Sequence, residues 1–224
     1  MPTDNRTALL DLIATHSFKL GDFTLASGQK SDYYIDCRIT TLHAEGGRLS
    51  GIVLYDLIHD HIPHPEKIEA VGGLTMGADP LVSNTASASA WALSDFNEIA
   101  TLSNELELGE DERSDEGPAP TLIHGFLVRK AEKTHGTGRK IEGFLKKGAD
   151  VIIVDDVCTT GGSTITAIES TREAGMHVAG VLCLVDREQG GRANIEATIP
   201  GVPFLSVFTA TDVRRAHIAL QSKK

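Results

Sequence analysis

The chain has 224 residues, enough for one α/β domain with appendages and a substantial core. Its 41% hydrophobic and 23% charged residues are ordinary for a soluble globular protein, and a formal net charge of −10 argues against a general nucleic-acid binder. No apolar run approaches the roughly 20 residues of a membrane span, and the first residues lack the apolar core of a signal peptide.

Near the N-terminus, Leu9, Leu10, Leu12 and Ile13 recur at near-helical spacing and predict a short amphipathic helix over residues 4–15. Residues 23–25 and 31–35 read as a small antiparallel pair joined through Ser27, Gly28 and Gln29. Leu49, Ile52, Val53 and Ile58 predict a helix over 45–60, closed by Pro63 and Pro65. A short strand at 68–71 then runs into residues 72–80 (GGLTMGADP), which read as a glycine-rich loop before a helix of small residues. Residues 104–120 hold seven acids against one arginine and no aromatic residue, the composition of a solvated insertion.

The apolar segment 122–128 predicts a strand that delivers Arg129 and Lys130 at its end. Beyond it, residues 129–147 hold seven bases against two acids. Residues 151–154 (VIIV) form an unalternated β-branched run, as expected of a strand buried on both faces of a parallel sheet. That run ends in Asp155 and Asp156. The residues Thr159, Thr160, Gly161, Gly162 and Ser163 follow, and then a helical pattern through Ile165, Ala167 and Ile168. Another apolar strand at 178–185 ends in Asp186 and Arg187, and a strand at 204–208 precedes a closing helix at 211–220. Cys37, Cys158 and Cys183 show no CxxC spacing, so they are expected to be small buried residues in a reducing, cytoplasmic setting.

Strands alternating with helices imply a parallel sheet, whose ligands gather beyond the carboxyl ends of the strands. Four strands here end in chemistry: the glycine loop, Arg129 with Lys130, Asp155 with Asp156, and Asp186 with Arg187. If those strands are neighbours, one pocket collects them all. The loop from 157 to 163 leads into a helix start, where free N–H groups and the helix dipole favour a phosphate. Adjacent strand residues point to opposite faces. Asp155 and Asp156 therefore suit two neighbouring sugar hydroxyls better than one shared ion, and a magnesium ion would be held mainly by substrate oxygens and water. Neither GxxxxGK[ST] nor GxGxxG occurs, which argues against a P-loop hydrolase and a dinucleotide enzyme. Lys130, Lys133, His135 and Arg139, with glycines at 136 and 138, read as a lid that brings cations to a departing diphosphate. Arg187 offers a planar fork for a carboxylate, or else a salt bridge to Asp186 or Glu188.

The segment VIIVDDVCTTGGST resembles the 5-phosphoribosyl 1-diphosphate (PRPP) motif of type I phosphoribosyltransferases. FTLASGQKSDYYIDCR, GGLTMGADP, VRKAEKTHG and LVDREQGG resemble, in order, segments of the orotate phosphoribosyltransferase family, so the likeness spans nearly the whole chain. It implies a single domain over 1–224: a parallel-sheet, Rossmann-like α/β core, with a small hood formed largely by 1–40 and the C-terminal segment. It further implies Mg²⁺-dependent transfer of ribose 5-phosphate from PRPP to orotate, and a homodimer with the basic loop exchanged across the interface. Lys133, His135, Asp155 and Asp156 would be catalytic. PRPP would be bound by these four together with Arg129, Lys130, Val157, Cys158, Thr159, Thr160, Gly161, Gly162 and Ser163. Orotate would meet Thr159, Arg187 and Tyr34. No membrane or nucleic-acid partner is expected. Two departures stand out: Ala26 and Thr75–Met76 occupy places where many members carry a diphosphate-binding lysine, with Lys30 a stand-in near the first. A PRPP-sensing regulator and a purine transferase of the same fold are the alternatives. The absence of an added helix-turn-helix region argues against the first, and Arg187 against the second.

Overall fold

The computed structural model describes residues 4–24, 30–105, 119–130 and 140–222. Lys133, His135 and Arg139, Ala26 with its neighbours, and most of the acidic insertion lie outside the described residues.

The chain opens with helix α1 (Asn5–Leu12), capped by the Asp4 carboxylate, which accepts from the Arg6 N–H. A π-turn (Ile13–Ser17) leads into β1 (Phe18–Thr24), which pairs antiparallel with β2 (Lys30–Ile35) in a two-stranded sheet. The short helix α2 (Arg38–Thr41) and the long α3 (Ala44–His61) follow. The main sheet has six strands: β3 (Ile68–Leu74), β4 (His124–Val128), β5 (Ile141–Gly143), β6 (Asp150–Cys158), β7 (His177–Asp186) and β8 (Phe204–Thr209). They lie in the order β5-β4-β3-β6-β7-β8, all parallel except for the β4–β5 pair. The crossovers are α4 (Asp79–Glu105), α5 (Gly162–Glu173) and α6 (Gly191–Thr198), and α7 (Ala210–Gln221) closes the chain.

The period of two along β6 divides the core. Val151 and Ile153 join the cluster that includes Ala167 and Ile168 of α5 and Ile195 of α6. Ile152 and Val154 join the opposite cluster, with Leu54 and Ile58 of α3 and Leu81 of α4. All four are buried, as the unalternated run requires, because helices cover both faces. α7 is fixed at its start by a capping box between Thr209 and Asp212. It packs on the N-terminal segment, where the His217 ring lies 2.7 Å from the Ala14 carbonyl oxygen and Arg214 pairs with Asp32 of β2 at 2.7 Å.

Several strand boundaries differ from expectation, the first being β1, which runs over Phe18–Thr24 where the sequence predicts a strand at 23–25. The β6 strand does not stop at Val154 but continues through both aspartates to Cys158, paired with β7 as far as Asp186. Gly72 and Gly73 belong to β3 and not to a loop. A Cβ on Gly72 would collide with the Phe126 ring, and one on Gly73 with the Val154 carbonyl oxygen, so these glycines serve close packing between strands. The loop proper is residues 75–78. Three elements carried no sequence expectation: α2, β5 and α6. All three are too short for periodicity to announce them.

Candidate active site

The order β4-β3-β6-β7 makes neighbours of the four strands whose ends carried the candidate residues. The ends of β4, β3 and β6 border a hollow of about 520 Å³, which no residue of the β7 end lines. Lys130 enters it from the end of β4, Met76 and Gly77 from the loop after β3, Asp155, Asp156 and Val157 from β6, and Ser163 from the first turn of α5. The small sheet supplies Tyr34, and the residues just after it supply Asp36 and Arg38. A second hollow of about 500 Å³, bordered by Leu42, His43, Asn84 and Trp91, lies away from the strand ends.

The two aspartates diverge as the strand period demands. Asp155 continues the α5-facing series. Its Oδ2 accepts from the Thr164 hydroxyl at 2.6 Å and its Oδ1 from the Asp156 N–H at 3.0 Å. Burial pushes its carboxyl up to about 7, the charge of Asp156 adds to that rise, and the Thr164 hydrogen bond opposes it. Asp156 turns to the other face, where Gly77 leaves room for it: a Cβ there would collide with Oδ1. Burial raises the Asp156 carboxyl, while a hydrogen bond from the Val157 N–H and the charge of Arg38 pull it down. Among the described residues no group of three or more His, Cys, Asp or Glu side chains could hold a metal ion. The aspartate oxygens, facing different ways, fit an ion whose other ligands come from substrate and water.

The start of α5 suits an anion. Its N-cap, Gly161, sits in the left-handed region at φ 82° and provides no side-chain cap. The loop before it is held from behind by α6, where the Gly191 N–H donates to the Thr159 carbonyl at 3.1 Å and Asn194 Nδ2 to that of Thr160 at 2.9 Å. Thr159, Thr160, Gly161 and Gly162 form this loop without lining the hollow. Cys158 is buried beneath it, as Cys37 and Cys183 are buried elsewhere, and all three are free thiols.

Two further predicted residues, Arg129 and Arg187, also lie outside the lining of the hollow. Arg129 pairs with Glu142 of β5, Nε to Oε1, at 3.2 Å. Arg187, 7% exposed, does not bridge to Asp186 or Glu188. Its guanidinium lies 4.8 Å from the centre of the Tyr33 ring and reaches Ser31 Oγ at 3.3 Å, which sets it beneath the β1–β2 hairpin. Asp186 instead accepts from the Glu188 N–H at 2.8 Å. Tyr33, Asp36, Arg38, Thr164 and Asn194 are contributors that the sequence reading did not single out. The DYYIDCR string contained the first three, but nothing local showed which of its side chains turn inward.

The glycine turn beside paired acids at a parallel-sheet rim has a counterpart among known proteins: a family model for the phosphoribosyl transferase domain matches residues 119–199. Over 95% of its length the chain is 39% identical to the orotate phosphoribosyltransferase of Synechocystis sp., covering 90% of that protein. Over 90% it is 41% identical to that of Streptomyces avermitilis, covering 92%. A Mycobacterium tuberculosis H37Rv orotate phosphoribosyltransferase crystallised with PRPP superposes with a TM-score of 0.67 at 30% identity, over 94% of this chain and 99% of that one. The chain belongs to the orotate phosphoribosyltransferase family.

Proposed function

We propose that the protein transfers ribose 5-phosphate from PRPP to orotate, giving orotidine 5′-monophosphate and diphosphate, a step of pyrimidine nucleotide synthesis. The observation that carries this reading is the single hollow that gathers Lys130, Gly77, Asp155, Asp156 and Ser163 from the ends of β4, β3 and β6 and the start of α5. In the reaction N1 of orotate bonds to C1′ of the ribose as the bond from C1′ to the diphosphate oxygen breaks, and the N1 proton passes to the departing diphosphate or to water. The turn from Val157 to Ser163 takes the 5′-phosphate on its N–H groups and on the positive end of α5. Asp155 and Asp156 accept hydrogen bonds from the two ribose hydroxyls, one from each face of β6. Lys130 and Arg129 meet the diphosphate, joined by Lys133 and His135 from the basic segment of a second copy. Arg187 pairs with the orotate carboxylate once the hairpin shifts, with Thr159 and Tyr34 beside the ring. A Mg²⁺ ion, held mainly by substrate oxygens and water, supplies charge to the leaving diphosphate.

The homodimer rests on the same family membership. It is supported by Leu42 and Trp91, 73% and 54% exposed, which border the second hollow and offer apolar surface to another copy. With Mg²⁺ and PRPP, purified protein is expected to consume orotate, read as loss of its ultraviolet absorbance, and to leave adenine and hypoxanthine untouched. Tight PRPP binding without orotate turnover would make it a regulator instead.

A further inference from the structure

A ligand with a diphosphate brings several negative charges into a hollow that already holds Asp36, Asp155 and Asp156. Among the described residues the cations lining it are Lys130 and Arg38. Met76, 67% exposed, stands in the loop beside Asp156, where it contributes no charge and no donor.

Arg38 is placed to make up the difference. It begins α2 directly after the hairpin, and its guanidinium is clamped along one edge, Nε to Asp36 Oδ1 and Nη2 to Asp36 Oδ2, each at 2.8 Å. Asp36 is itself fixed, since its N–H donates to the Ser17 carbonyl at 2.9 Å and its Oδ1 also accepts from the Arg38 N–H at 3.1 Å. A guanidinium has five N–H donors, so this clamp leaves both on Nη1 and one on Nη2. The side chain remains 43% exposed, oriented but open to the hollow. The Arg38 charge helps to hold Asp156 in its ionised form, so the two act on the same space.

We propose that Arg38 is a binding residue for the diphosphate of the substrate, aimed by Asp36, and that it replaces the cation missing at position 76. This rests on the PRPP reading of the hollow. The diphosphate is favoured over the orotate carboxylate because Arg38 lines the hollow together with Asp156, Met76 and Gly77, whereas Arg187, the candidate for the carboxylate, is held outside it by Ser31 and Tyr33. Preorganised, charge-assisted contacts of this kind act on affinity at once, with no ordering of a long side chain to offset.

The test uses the full chain and inorganic diphosphate with MgCl₂, titrated calorimetrically into the unaltered protein, Arg38→Gln, Arg38→Lys and the double variant Arg38→Gln/Met76→Lys. Losing hydrogen bonds to a charged group is expected to weaken diphosphate binding about ten-fold or more in Arg38→Gln. Arg38→Lys, which keeps the charge and loses the fork, should fall between, and Met76→Lys should recover a large part of the loss. In kinetics, KM for PRPP should rise while KM for orotate stays within about two-fold. Unchanged diphosphate affinity in Arg38→Gln, with the loss falling on orotate, would overturn the assignment. So would a double variant no better than the single one. Failure of the unaltered protein to bind diphosphate would overturn the reading of the hollow itself, and the assignment with it.

Discussion

At the residue scale, Asp155 makes the site sensitive to pH. Its carboxyl is raised to about 7, first by burial and then by the charge of Asp156. In the proposed reaction it must be ionised to accept from a ribose hydroxyl without donating in return. For the free enzyme, kcat/KM for PRPP should therefore fall as pH drops through about 7. Thr164→Val removes the hydrogen bond that opposes the rise, so the acid limb should move to higher pH; a limb that stays in place would detach Asp155 from substrate binding. The same group bears on stability. Its folded carboxyl binds a proton more firmly than the unfolded one, so its contribution is complete below the ordinary value of 3.8 and is lost as pH rises through about 7. Thr164→Val should accordingly cost more at pH 8, where the lost bond is to a carboxylate and worth about 1.5–3 kcal/mol, than at pH 5. Urea unfolding at the two pH values checks this. Much of this site was legible in the sequence, because a period of two along β6 already parts Asp155 from Asp156. The setting of Arg187 was not, since its partners Tyr33 and Ser31 lie 154 and 156 residues away in the chain.

At the scale of elements, the parallel strands of the main sheet and the long helices announced themselves through apolar runs or spacing, whereas most of β1 did not, because four of its seven residues in succession are exposed. The glycines of residues 72–80 show the limit of that signal. Glycine-rich sequence reads as a loop, but Gly72 and Gly73 are strand residues that let β3 lie close to Phe126 and Val154. Gly73→Ala is expected to cost about 3 kcal/mol or more, because the added methyl meets backbone that cannot yield. Chemical denaturation measures the loss; a change below about 0.5 kcal/mol would show that the strands have slack there. The turn before α5, which the glycines and hydroxyls of the sequence mark, ends in an uncapped helix start at Gly161. Its support was not legible in the sequence, because α6 has eight residues and braces the turn through Gly191 and Asn194, a tertiary contact with no local signature.

At the scale of the whole molecule, the proposed reaction draws on one sheet rim and on a second copy of the chain. Lys133→Ala and Asp156→Asn should each be nearly inactive alone. If the basic segment acts across the dimer, mixing and reassociating the two should restore turnover through sites that hold both unaltered residues. Mixtures as inactive as their parents would confine the segment to its own subunit. Removing residues 106–118, acidic and distant in sequence from every candidate site residue except Arg129 and Lys130, should leave orotate turnover near that of the full chain. The proposed function requires the strand ends and the start of α5 to form one receptor for PRPP. A crystal grown with PRPP and Mg²⁺ measures this directly. The 5′-phosphate should lie on the turn from Val157 to Ser163, the ribose hydroxyls on Asp155 and Asp156, and the diphosphate toward Lys130 and Arg38. Density for the ligand at any other surface, with this hollow holding only water, would contradict the account.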